Sequence, residues 1–161
     1  MRYLTFSALV IAAAIGCEPR DGGMAVDTTA ARAGIDSTRT EYARLQMAGD
    51  AAAVAGLYTE DATLDLYGVP RLRGRAAIQN ALQMNYGMGK FTLTEINPIE
   101  TNVRSNTEAT EYGTFHNMRD SSGVVLHEWG RFVVGLNKGA ADNRWRLSYL
   151  LAFPDSVKTG N

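Results

Sequence analysis

The sequence predicts an α+β domain, with three N-terminal helices packed on one face of a strongly curved antiparallel sheet. Three observations predict it. Ile35, Thr38, Tyr42 and Leu45 recur every three or four positions, the spacing of a helix buried along one side, and Ile78, Leu82 and Met84 are among the apolar residues of a later helical stretch. From Phe91 onward the pattern changes to long extended runs separated by turn residues. The 161 residues leave room for one ordinary domain, and helices followed by a meander of strands is the α+β arrangement.

The first residues read as a leader. Met1-Arg2 is a positive start, and Tyr3 to Ile15 is apolar apart from Thr5 and Ser7. Such a run is too short to span a bilayer and suits the apolar part of a secretory signal. It ends in Ala14-Ile15-Gly16-Cys17, which resembles the lipobox of bacterial lipoproteins, although leucine is commoner where Ala14 stands. The resemblance implies a signal peptide over residues 1–16, diacylglycerol on Cys17, and attachment to a membrane through that lipid. The competing explanation is an ordinary secretory signal with an incidental cysteine. Against it, Cys17 is the chain's single cysteine, and a lone thiol makes no internal disulfide. Glu18 implies, by resemblance to enterobacterial sorting, the outer membrane facing the periplasm rather than the inner membrane. Residues 17–26, with Pro19, Gly22 and Gly23, read as a flexible tether.

The domain itself is expected over residues 27–154. Asp27, Thr28 and Thr29 offer N-cap side chains for a helix to about Ala48, whose buried stripe is Ile35, Thr38, Tyr42 and Leu45. Gly49 is the expected stop, and Asp50 caps a short second helix over Ala51 to Tyr58. A turn at Thr59-Glu60-Asp61 leads to a strand over Ala62 to Leu66, broken by Gly68-Val69-Pro70. Gly74 then opens a third helix from Arg75 to about Tyr86. Phe91 to Val103 reads as one strand, bent or bulged at Pro98. Further strands are expected over Thr107–Met118, Val124–Leu136 and Trp145–Phe153, with a disordered tail over residues 155–161. Sixteen basic against seventeen acidic residues lack the basic excess of a nucleic-acid groove.

Several segments resemble the nuclear-transport-factor-2-like superfamily, above all its bacterial SnoaL-like and ketosteroid-isomerase-like members. They are Gly49-Asp50, Tyr58-Thr59-Glu60-Asp61-Ala62-Thr63, Gly74-Arg75-Ala76-Ala77-Ile78, Gly130-Arg131-Phe132 and Trp145-Arg146-Leu147. The resemblance implies a cone with an apolar pocket at its open end. Its lining is expected to include Tyr42, Leu57 or Tyr58, Leu66, Leu82, Tyr86, Phe115, Gly130, Phe132, Leu150 and Ala152. In ketosteroid isomerases a first-helix tyrosine donates to an oxyanion, and Tyr42 stands at that position, eight before Asp50. The isomerase base falls on Leu66 and its second oxyanion donor on Phe132. A leucine cannot abstract a proton, so ketosteroid isomerase activity is not expected. Tyr42 alone is also explained as an amphipathic side chain on a buried helix face.

Other constellations carry less. A hairpin turn over Arg119 to Gly123 would pair Gly113 with Gly130 and His116 with His127, placing Glu111 near Phe132 and Glu128 near Phe115. Two facing histidines suit a shared metal or a surface contact, but no third ligand stands at convincing spacing. If Glu111 or Glu128 faces the pocket, it is an acid–base candidate; the alternative is a solvated place at the rim. Arg71, Arg73 and Arg75 would share one side of an extended segment and suit an anion, or simply be solvated. Met84 and Met88 suit an adaptable lid or ordinary packing.

The sequence thus points to an envelope lipoprotein whose cone binds a small apolar ligand or a partner protein, with no cofactor and no metal. The alternative is an isomerase, dehydratase or cyclase using Tyr42 with Glu111, Glu128 or His116. A homodimer through the convex sheet face, carrying Tyr112, Trp129 and Tyr149, is the expectation from the resemblance.

Overall fold

The computed structural model describes residues 25–160; the leader and Cys17 lie outside the described residues. Helix α1 (Thr28–Ala48) is capped by the Asp27 carboxylate, which accepts from the Ala30 amide. It ends where Gly49 adopts φ 71°, a left-handed conformation that glycine takes without strain. The Asp50 carboxylate then caps α2 (Ala51–Gly56) by accepting from the Ala53 amide. Strand β1 (Tyr58–Leu66), the short β2 (Leu72–Arg73) and helix α3 (Arg75–Gly87) follow, then β3 (Lys90–Val103), β4 (Glu108–Ser121), β5 (Val124–Lys138) and β6 (Trp145–Gly160).

The six strands form one sheet in the order β2-β1-β6-β5-β4-β3. The α+β class holds, and the sheet is mostly antiparallel, with β1 and β6 pairing in parallel. The helices bury their inner sides against it. Ile35 of α1, Val54 of α2, Tyr58 of β1 and Ile78 of α3 are the largest fully enclosed side chains, each apolar one contributing about 1.5–3 kcal/mol. Register shifts in β3, beside Phe91 and Pro98, and in β5, beside Trp129 and Gly135, bend the long strands around the helices.

Four local expectations are corrected. The second helix stops at Gly56, and the expected turn at Thr59-Glu60-Asp61 lies inside β1, at a break in register between Tyr58 and Thr63. The expected disordered tail is strand: Asp155 to Gly160 continue β6, because Val125 to Trp129 of β5 need backbone partners on that side. The β4–β5 hairpin turns on two residues, Ser122 and Gly123, both with positive φ (55° and 85°), the geometry of a tight hairpin turn. The register is therefore two residues from the expected one, pairing Gly113 with Phe132, Phe115 with Gly130, and His116 with Trp129. A shift of two leaves every side chain on its expected face.

Two glycines let the sheet pack closely. A Cβ on Gly130 would lie 2.4 Å from the Phe115 ring, and one on Gly113 would lie 2.9 Å from the Phe132 ring. Each ring thus covers its cross-strand glycine. On the other side of the core, Gly34 of α1 seats the Trp145 indole, where a Cβ would approach to 2.5 Å.

Candidate functional site

A cavity of about 390 Å³ lies between α1, α3 and the concave side of the sheet. That is within the range that accepts small organic ligands. Of the expected lining, Tyr42, Leu66, Leu82, Tyr86, Phe115, Phe132, Leu150 and Ala152 reach it. Tyr58 does not, because its ring is wholly buried behind Tyr42. Gly130 does not either, because the Phe115 ring covers it. Leu57 faces a separate groove with Trp145 and Arg144.

The walls are not uniformly apolar. Glu111, 3% exposed, lines the cavity and is fully engaged. Arg39 of α1 donates to it from Nε at 3.1 Å and from Nη2 at 2.8 Å, and the Thr101 hydroxyl donates at 2.6 Å. Burial works against the Arg39 cation, but the Glu111 and Asp36 carboxylates together outweigh it and hold the guanidinium charged. This is a closed ion pair rather than an acid–base group.

Farther along the same sheet face, Gln46 Nε2 donates to Thr94 Oγ1 at 3.0 Å and to Asn117 Oδ1 at 3.2 Å. Asn117 Nδ2 in turn lies 3.4 Å from Glu128 Oε2, a long and weak contact. Glu128 lines the cavity and has no cationic side chain within 4.0 Å among the described residues.

The tyrosines form the third group. The Tyr42 and Tyr58 hydroxyls stand 3.5 Å apart, at the limit of a hydrogen bond. Tyr86 lines the cavity, and its hydroxyl is buried without a partner among the described residues. Burial pushes the phenols of Tyr42, Tyr58 and Tyr86 above the ordinary tyrosine range, so all three stay neutral donors at physiological pH.

His116 lies on the opposite side of the sheet. It stacks on Trp129 with ring centroids 4.6 Å apart and planes 6° apart. Its Nδ1 lies 3.3 Å from Glu95 Oε2, and its Nε2 lies 3.1 Å from His127 Nδ1. The two imidazoles meet nitrogen to nitrogen, as a single N–H···N bond requires. His116 therefore cannot serve Tyr42 across the sheet. Among the described residues no three His, Cys, Asp or Glu side chains are placed to hold a metal ion.

Of the two readings of the arginines, the anion grip loses two of its three members: Arg71 is bound to Asp65, while Arg75 holds the Tyr58 carbonyl and Glu60. Met84 and Met88 stand 69% and 60% exposed and do not line the cavity. Arg39, Gln46, Thr94, Asn117 and Arg119 are lining residues that sequence reasoning missed. The signals were present: Gln46 follows Tyr42 by one helical turn, and Asn117 and Arg119 continue the alternation that puts Phe115 inside.

A family model described as a SnoaL-like domain matches residues 27–150. No curated protein matches the chain. Among solved structures, the domain is similar to a ketosteroid isomerase-like protein from Erwinia carotovora atroseptica SCRI1043, at 20% identity and a TM-score of 0.69, over 77% of this chain and 95% of that one. An NTF-2 like protein of unknown function from Shewanella oneidensis MR-1 aligns at 19% identity and a TM-score of 0.64, over 76% and 98%. A type 3 hexachlorocyclohexane dehydrochlorinase from Novosphingobium barchaimii LL02 aligns at 12% identity and a TM-score of 0.71, over 82% and 91%. At such identities the likeness is one of fold.

Proposed function

The chain belongs to the SnoaL-like domain family, and from that premise we propose that it is an envelope-tethered binding module for a small, mainly apolar molecule bearing a hydrogen-bond acceptor. One observation carries the reading: the Tyr86 hydroxyl is buried without a partner among the described residues, at the wall of a largely hydrocarbon cavity. A buried donor left unpaired costs about 1–3 kcal/mol. The hydroxyl is enclosed in the unliganded protein, so a ligand carbonyl or ether oxygen would recover that cost once a small turn of the Tyr86 ring admits it, with Tyr42, only loosely held by Tyr58, as a second donor. The apolar leader and Cys17 support a lipid-anchored place in the envelope, and Glu18 favours the outer membrane facing the periplasm.

Binding of a medium-chain ketone and of the alkane of equal length to the full-length chain, followed by calorimetry, tests this. The ketone is expected to bind about tenfold more tightly, the equivalent of one recovered hydrogen bond. Tyr86→Phe should reduce the difference while leaving the unliganded fold as stable or more so, and adding Tyr42→Phe should abolish it. Failure of both probes to bind would end the reading.

A second reading is an enzyme of the isomerase, dehydratase or cyclase type, favoured by the presence of Glu128 in the same cavity as Tyr42. Turnover of a carbonyl substrate that disappears in Glu128→Gln at unchanged affinity would establish it. The outward face of the sheet, with Tyr112, Val133 and Phe153 each more than two-fifths exposed, supports homodimerisation, and a monomeric mass at high concentration would refute that.

A further inference from the structure

We infer that Glu128 makes this cavity selective for ligands that carry a protonated amine beside their apolar body; the inference rests on the binding reading above. Glu128 stands on β5 opposite Asn117 of β4 and Val157 of β6. Among the described residues its carboxylate has one hydrogen-bond contact, the 3.4 Å approach of Asn117 Nδ2, which leaves most of its acceptor capacity unused by the protein.

Glu128 is half-buried, so water reaches its carboxylate in the unliganded protein, and the charged groups around it explain why no side-chain cation takes that place. Glu111, the other lining carboxylate, is closed by Arg39 and Thr101. Arg119 lies on the same face of β4, two residues from Asn117, and is turned the other way. Its Nη1 donates to Asn85 of α3 at 3.1 Å, and its guanidinium sits 5.9 Å from the Phe91 ring centre. Of the two arginines that line the cavity, Arg39 is thus closed on Glu111 and Arg119 is held at the α3–β3 wall. Lys158 of β6, on the other side of the sheet, packs over Trp129.

Phe115 lies one pleat farther in than Asn117, so the carboxylate is followed by an aromatic surface. A carboxylate above a ring suits an alkylammonium: the charge meets Glu128 and the hydrocarbon continues inward. A neutral alcohol would also donate to Glu128, but without the charge that makes such a bond roughly twice as strong. A carboxylate ligand would meet like charge.

The test is calorimetric titration of the full-length chain with phenylbutylamine, phenylbutanol and phenylbutyrate at neutral pH, in the wild type and in Glu128→Gln. The amine is expected to bind about tenfold more tightly than the alcohol, with the acid weakest, and Glu128→Gln should bring amine and alcohol to the same affinity. The circular-dichroism melt of the variant reports that it has folded. Equal binding of amine and alcohol by the wild type, or an amine preference that survives in Glu128→Gln, overturns the inference and leaves the binding reading intact. Failure of all three probes to bind overturns both.

Discussion

Replacing Arg39 with methionine should be the most damaging single change to this cavity's wall. Glu111 is 3% exposed, and its three donors are two nitrogens of Arg39 and the Thr101 hydroxyl. Arg39→Met leaves a buried carboxylate with one neutral donor. Breaking a buried pair from one side costs about 3–5 kcal/mol, which for a domain of this size is a fall in Tm of roughly 10–20 °C. The second contact of Arg39, to Asp36 whose side chain is 63% exposed, adds little. Because the cost lies in the stranded charge, Arg39→Met combined with Glu111→Leu should recover to within about 1–2 kcal/mol of wild type. Urea unfolding of the two single variants and the double variant measures the coupling. A single variant losing under about 1 kcal/mol, or a double variant no more stable than Arg39→Met, would refute the account.

Two further outcomes are expected. On an open helix Gly→Ala gains about 1 kcal/mol, but in Gly34→Ala the new Cβ would lie 2.5 Å from the buried Trp145 ring. A net loss of about 1–3 kcal/mol is expected from overpacking, read by thermal melts. In alkali, the folded phenols of Tyr42, Tyr58 and Tyr86 are raised above their unfolded value of 10.0 by burial. Their contribution is full below that value and is lost as pH climbs through the folded values. Stability should therefore decline from about pH 10 upward, with tyrosinate absorbance at these positions appearing only alongside unfolding.

The sequence by itself determined what local chemistry controls. Asp27 and Asp50 cap their helices, Gly49 ends the first, Pro98 marks a strand irregularity, and the alternation around Phe115 and Phe132 sets which faces turn inward. These depend on backbone conformation and side-chain period, which neighbouring residues dictate. Only the tertiary structure decided how Glu111, Glu128 and His116 differ. All three are polar residues on neighbouring strands, and a two-residue error in hairpin register kept their faces but not their partners. Glu111 is neutralised by an arginine 72 residues away in sequence, Glu128 is left open because Arg119 turns to Asn85, and His116 is committed to the far side of the sheet. The same distinction governs Asp155 to Gly160, which become strand only because β5 presents unpaired backbone beside them. Whether a polar group is available for chemistry depends on partners distant in the chain, and those are chosen by packing rather than by local pattern.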